Sequence, residues 1–369
     1  VAKIAASFAK RFELPSWGYA LGLLHDKGKE RAAFQQYIRK VNGLSTDDKK
    51  HYNDHAHAFV GGILAKDFMG KDVLNLLANQ IISHHTGLYD YVEAENILQE
   101  KPLPEEIDKD NINIDIPFLY KEFLESPFSK FKVDRKHFHH LSRMLFSCLV
   151  DADRLDTEQF MNLESWQKRK CSSTVVDLLP KLEAHLQKLQ LDAVDTEVNR
   201  IRRKVQEQCS KTSLGEKGFY SLTVPTGGGK TLSSLLWAMK HAANHAMNRI
   251  IIAIPYTSII VQTAGLLKKI FGEENVLEHH SNFNPDDIKN EEVREKAKLA
   301  TENWDYPIIV TTNVQLFESM FSNRPSDCRK LHNIVNSVII LDEVQTLPTD
   351  FLQPIVDAMK AYQKMFGVS

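Results

Sequence analysis

Long apolar runs, paired cysteines and an excess of either charge are what this sequence lacks, and each absence excludes something. The longest apolar stretches, such as residues 250–254, fall far short of the roughly 20 residues a membrane-spanning helix needs, so no membrane partner is expected. Cys148, Cys171, Cys209 and Cys328 are widely scattered. They offer neither the close pairs of a zinc site nor the density of a secreted disulfide scaffold, which points to a reducing, cytoplasmic setting. Lys and Arg number 46 against 48 Asp and Glu, a net charge of −2. There is thus no global electrostatic signature of a nucleic-acid binder, and any such contact must come from local loops. The N-terminus has no basic segment followed by an apolar one, and it opens on Val1 rather than Met, so the chain is expected to be trimmed at its start.

What is present is a globular balance of 43% hydrophobic and 25% charged residues over 369 positions, enough for two or three cores. Up to about residue 170 the apolar spacing is helical: Ile4, Phe8 and Phe12, then 17–24, 56–68, 73–82 and 139–153. The Pro-containing acidic stretch 99–117 reads as a long surface loop. Two amphipathic helices are expected over 172–190 and 195–209, followed by a polar linkage over 210–218. After it, short β-branched runs (219–224, 249–254, 308–312, 338–341) alternate with helices, the pattern of a parallel sheet covered by helices.

Pro225, Thr226, Gly227, Gly228, Gly229, Lys230 and Thr231 lie between an expected strand and the helical stretch 232–243. Glycines there let backbone amides approach an anion, and the helix N-terminus adds a positive dipole. Lys230 suits the β and γ phosphates of ATP, and Thr231 a Mg²⁺ ion. Downstream, an expected buried strand delivers Asp342 and Glu343 at its C-terminal edge, where open α/β sheets bind ligands. Asp342 suits the water shell of Mg²⁺, and Glu343 suits polarising the attacking water.

These two motifs resemble those of superfamily 2 helicases, whose loop is written Pro-Thr-Gly-x-Gly-Lys-Thr. The resemblance extends to Thr257 and Ser258 with Gln262, and to Thr311, Thr312 and Asn313, positions where that family holds the phosphates of one DNA strand through hydroxyls and backbone amides. The basic segment Arg200, Arg202, Arg203 and Lys204 reads as a solvated helix face, with a nucleic-acid contact as the alternative.

The first half is notable for histidine. A His-acid dipeptide is expected about twice by chance at this composition, so His25-Asp26 alone carries nothing. The accumulation does: His57 with Gly61 one turn later, His84-His85, and Asp151 with Asp153 at the end of an apolar helix. His55 is an alternative to His57. Imidazoles and carboxylates from several helices form a mixed N/O site suited to Mn, Fe, Co or Ni.

The set His25-Asp26-x-Gly28-Lys29, His57, His84-His85 and Asp153 resembles the HD phosphohydrolase family, an all-helical metal-dependent fold. That family has a further His ahead of the His-Asp pair. Residues 1–24 contain none, so the resemblance implies a ligand upstream of Val1 and an incomplete metal position. An HD domain upstream of a superfamily 2 motor resembles the CRISPR-associated nuclease-helicases of type I interference. The flanking strings 221–231, 278–282 and 329–333 agree with that family, and His279-His280 falls in its motor half.

The resemblance implies an all-α HD-type nuclease domain over 1–172, a helical linker over 173–215 and an α/β RecA-like P-loop lobe over 216–369. It implies two metals bridged by Asp26, one on His25 and Asp153, with Asp151 retained as an alternative, and one on His57, His84 and His85. Lys29 would steady the transition-state phosphate. The expected activity is a metal-dependent single-stranded DNA endonuclease coupled to an ATP-dependent helicase, acting on the target strand displaced by an RNA-guided CRISPR surveillance complex. Since the chain ends about one helix after Glu343, a second lobe is expected to be missing and ATPase turnover to be weak. Two other readings are a phosphohydrolase of small nucleotides with a regulatory ATP-binding lobe, and a catalytically dead docking fragment.

Overall fold

The computed structural model describes residues 1–44, 57–69, 74–105, 107, 114–130, 137–169, 173–225 and 227–369. These form two compact units, Val1–Met161 with Ser322–His332, and Asn162–Phe321 with Asn333–Ser369. None of the described helices is long and apolar enough to cross a membrane.

The first unit has helices and no strand among its described residues: α1 (Ala2–Ala9), α2 (Pro15–Leu24), α3 (Ala32–Val41), α4 (Ala58–Met69), α5 (Asn79–Ser83), α6 (Tyr91–Glu100), α7 (Ile116–Glu125), α8 (Pro127–Lys130) and α9 (Phe138–Met161). Helix α2 opens on Pro15, whose fixed φ and missing N–H suit a first turn. Trp17, Ala20, Leu21 and Leu24 are all buried, so α2 is apolar nearly all round and runs through the core. Helix α9 buries Leu141, Met144, Leu145, Phe146 and Leu149 beside it. A π-helical turn, Leu74–Ala78, leads into α5.

The second unit contains α10 (Leu163–Lys168), α11 (Val175–Asp192), α12 (Glu197–Thr212), α13 (Lys230–Asn244), β1 (Arg249–Ile254), α14 (Thr257–Phe271), β2 (Val276–His279), α15 (Glu291–Asn303), β3 (Ile308–Thr312), α16 (Asn313–Phe321), β4 (Ser337–Leu341) and α17 (Thr349–Phe366). The four strands are parallel in the order β2-β3-β1-β4. Strand β1 is buried along its whole length, as a run of isoleucines covered on both faces must be. The motif-bearing segments that follow β1, β3 and β4 lie at the sheet's C-terminal edge.

Two differences from the sequence reading bear on the site. Residues 219–224 pair with no strand among the described residues. Tyr220 instead donates its hydroxyl to the Glu216 carbonyl at 2.6 Å and stacks near Trp237, and Phe219 remains 61% exposed. Helices α11 and α12, read as a linker, are packed into this unit: Leu178, Leu182 and Leu186 of α11 share one core with Leu235, Met239 and Ile252. Thr174 and Asp177 close a reciprocal capping box at the start of α11.

Candidate functional site

In the first unit, four elements deliver the metal-site candidates. His25 and Asp26 follow the last residue of α2, His57 precedes α4, His84 and His85 follow α5, and Asp153 lies on α9. Gly61 makes the approach possible. A Cβ there would lie 1.9 Å from the Leu24 carbonyl oxygen, so only glycine lets α4 close on the end of α2.

The result is two donor groups joined by one carboxylate: Asp26 with His57, His84 and His85, and His25 with Asp26 and Asp153, the donor atoms of each group lying within 4.8 Å of one another. His25 Nε2 is 3.2 Å from Asp26 and 3.4 Å from Asp153, while Asp26 Oδ1 is 3.5 Å from His57 Nε2 and 3.8 Å from His84 Nε2. The far nitrogens of two rings are fixed by backbone carbonyls, His25 Nδ1 by Gly22 at 2.9 Å and His84 Nδ1 by Ile81 at 2.6 Å. This leaves each Nε2 facing the cluster, as metal-binding imidazoles are held.

The buried atoms His25 Nε2, Asp26 Oδ1 and His84 Nε2 have charged neighbours but no aligned hydrogen bond among the described residues. Polar atoms aimed at a common point and left unsatisfied fit a cation, and the mixed N/O donor set suits Mn, Fe, Co or Ni. Burial alone would depress His25, but the Asp153 and Asp26 carboxylates outweigh it and hold its pKa up at about 9. Burial pushes His84 down to about 4. It would raise Asp26, but His25 and then Lys29 hold that carboxyl well below the usual carboxylate range. Lys29 Nζ sits 2.6 Å from Asp26 Oδ2.

Asp151 does not join the cluster. It is fully buried on α9 and receives Arg329 Nε at 2.8 Å, with His332 Nε2 at 3.4 Å. Two residues along a helix are a rotation of about 200°, so Asp151 and Asp153 face opposite sides. His55 and Thr226 lie outside the described residues.

In the second unit, Gly227 and Gly229 both take φ of +81°, the left-handed region, and Gly229 caps α13, whose first residue is Lys230. Lys230 Nζ reaches Glu343 at 2.9 Å and Asp342 at 3.4 Å. Phosphate loop and acidic strand end therefore meet, at a cavity of about 250 Å³ lined by Tyr220, Lys230, Thr231, Trp237, Ile340 and Asp342. Pro225 and Gly228 complete the loop, whose Gly227 carbonyl accepts from Arg202 Nε at 2.9 Å and from a terminal guanidinium nitrogen at 2.7 Å. Arg202 was missed: its segment reads as a solvated basic face, and only the fold shows one member turned onto the loop.

Ser258 and Gln262 are exposed and Thr257 half-buried at the start of α14. Thr312 is half-buried, and its hydroxyl accepts from the Gln315 amide at 2.9 Å. Thr311 and Asn313 are buried, and the Thr311 hydroxyl donates to the His279 carbonyl at 2.7 Å, which removes it from any surface contact.

The described residues thus hold a helical unit with a His-Asp cluster and a sheet unit in which a P-loop meets an Asp-Glu strand end. Residues 203–366 match the DEAD/DEAH box helicase family. The chain is similar to Cas3-type proteins. It is 26% identical over 373 residues to a putative CRISPR-associated nuclease/helicase Cas3 of Methanocaldococcus jannaschii, covering 87% of this chain and 49% of that protein. It is 26% identical over 201 residues to the CRISPR-associated nuclease/helicase Cas3 of Haloferax volcanii, covering 46% and 22%. The chain thus spans about half the length of the first relative and less than a quarter of the second. Crystal structures of T. fusca Cas3 share its fold: the ATP form at TM-score 0.54 and 14% identity, over 100% of this chain and 47% of that one, and the AMPPNP form at TM-score 0.57 and 15% identity, over 99% and 45%. These comparisons agree with the family read from the motifs.

Proposed function

We propose that the chain is a metal-dependent single-stranded DNA endonuclease of HD type joined to an ATP-dependent DNA helicase module, working on target DNA opened by an RNA-guided CRISPR complex. The observation that carries this reading is the pair of donor groups sharing Asp26. Two donor groups that share one carboxylate would hold a pair of cations, an arrangement that suits in-line phosphodiester hydrolysis and has no role in a simple ATPase. When bound, such metals supply Lewis-acid charge and an acidified water. The protein's own part is to hold them: His25 and Asp153 on one side, His57, His84 and His85 on the other, with Asp26 shared. Lys29 orients the Asp26 carboxylate and, with its side chain 40% exposed, is placed to meet substrate phosphate. His85 is exposed as well, so the cluster opens on the side a polymer would approach.

At the phosphate loop, Lys230, now paired with Asp342 and Glu343, would hold the phosphates of ATP, leaving Asp342 to hold Mg²⁺ and Glu343 to orient water. Thr257, Ser258, Gln262 and Thr312 supply polar contacts to the DNA backbone that need no basic surface. The test is cleavage of circular single-stranded DNA in Mn²⁺, Ni²⁺ or Co²⁺ against EDTA, with His84→Ala as control. Metal-dependent cutting that the variant loses is expected. Cutting that persists in EDTA, or that His84→Ala leaves intact, would overturn the assignment.

A further inference from the structure

The eleven residues Ser322–His332 belong to the helical unit, although α16 before them and β4 after them belong to the sheet unit. Two sets of contacts hold this strap. At its start, the Asn323 carbonyl accepts from the Leu88 amide at 2.9 Å, and Asn323 Nδ2 donates to the Leu88 carbonyl at 3.1 Å. Leu88 lies three residues beyond His85. At its end, Arg329 and His332 close on Asp151, and the Ser147 hydroxyl bridges to His332, accepting from its amide at 3.0 Å and meeting Nδ1 at 3.1 Å. Phe8 of α1 stacks on the His332 ring with centroids 4.1 Å apart. Asp151, Ser147 and His332 are each 0% exposed and Arg329 3%.

A buried ion pair between residues 178 apart in sequence is costly to assemble and brings geometric constraint more than stability. Its site of action is telling. Asp151 is two residues from Asp153, and Leu88 closes the loop that carries His84 and His85. The strap therefore grips two of the four elements that present metal donors.

We infer that Arg329 and Asn323 are positioning residues for the metal cluster: the strap fixes the rotation of α9 and the path of the His84-His85 loop, so that both donor groups converge on Asp26. This rests on the metal-site reading above. The strap's own bonds, from Arg329 to Asp151, from His332 to Ser147 and from Asn323 to Leu88, involve no metal donor.

The experiment is Mn²⁺ titration by calorimetry on the full chain, for the parent, Arg329→Met and Asn323→Ala, each with a melting curve and a fluorescent-nucleotide titration of the phosphate loop. Arg329→Met is expected to weaken Mn²⁺ binding at least tenfold and Asn323→Ala a few-fold, with nucleotide affinity within twofold of the parent. Arg329→Lys should recover part of the loss. Asn323 is exposed, so its variant folds even if Arg329→Met does not. A parent that binds no metal would sink the site reading itself. A parent that binds while folded variants bind equally well would overturn the positioning role alone.

Discussion

Gly61→Ala tests the architecture of the metal cluster without touching a donor. The added methyl would sit 1.9 Å from the Leu24 carbonyl oxygen, where ordinary contact begins at 3.4 Å. Helix α4 and the end of α2 must therefore part by about 1.5 Å, an overpacking that costs about 1–3 kcal/mol of stability. That displacement is several times the ~0.2 Å tolerance of a metal–ligand distance. It separates His57, at the head of α4, from Asp26, now 3.5 Å away. Faults of this kind in supporting geometry weaken metal binding by about 10–100-fold. Calorimetric titration with Mn²⁺ should show the loss, with melting a few degrees lower and fluorescent-nucleotide binding at Lys230 unchanged. A folded Gly61→Ala chain that takes up Mn²⁺ with parental stoichiometry and affinity would refute the claim that close approach of α2 and α4 builds the site.

Two further outcomes follow from groups already described. Thr311→Val leaves the His279 carbonyl without its donor and should cost about 1–3 kcal/mol in urea unfolding, while binding of a labelled single-stranded oligonucleotide stays within twofold; weaker DNA binding at unchanged stability would contradict the buried role. In EDTA, stability should peak near pH 6.5. His25, held at about 9 when folded against about 6.5 unfolded, contributes on the order of 3 kcal/mol that is fully present below pH 6.5 and lost as pH rises through 9. His84, depressed to about 4, contributes stability present above pH 6.5 and lost as pH falls through 4. Urea midpoints across pH 4–9 check this, and a profile unchanged by His25→Gln would contradict it.

How much was legible depended on whether a constraint was local. His57 could be chosen because Gly61, one turn on, signals a close backbone approach, and the structure shows what it approaches. The family resemblance favoured Asp153 but kept Asp151, because an apolar helix end offers both, and what distinguishes them in the structure is Arg329, 178 residues away. The short apolar run 219–224 read as a strand by composition, yet strand pairing is non-local, and Tyr220 bonds instead to the Glu216 carbonyl. Strand β2 was missed because four residues ending in Glu-His carry little β signal. Glu278 is nonetheless buried there, paired with Lys268 at 2.8 Å and His280 at 3.0 Å. The sheet's other strands were readable as runs of β-branched residues, of which β1 and β3 are buried nearly throughout.

The strap at Ser322–His332 also decides how this protein can be taken apart. Its helical unit is discontinuous in sequence, so no single cut separates the two units. A fragment ending at Met161 would leave the Asp151 carboxylate in an apolar interior without Arg329, and a fragment beginning at Asn162 would carry Arg329 and His332 away from the helix they were shaped to meet. Modules joined end to end can be shuffled by recombination, each replaced without consulting the other. Here a replaced helical module would inherit eleven residues fitted to its predecessor, so the two halves are expected to vary together.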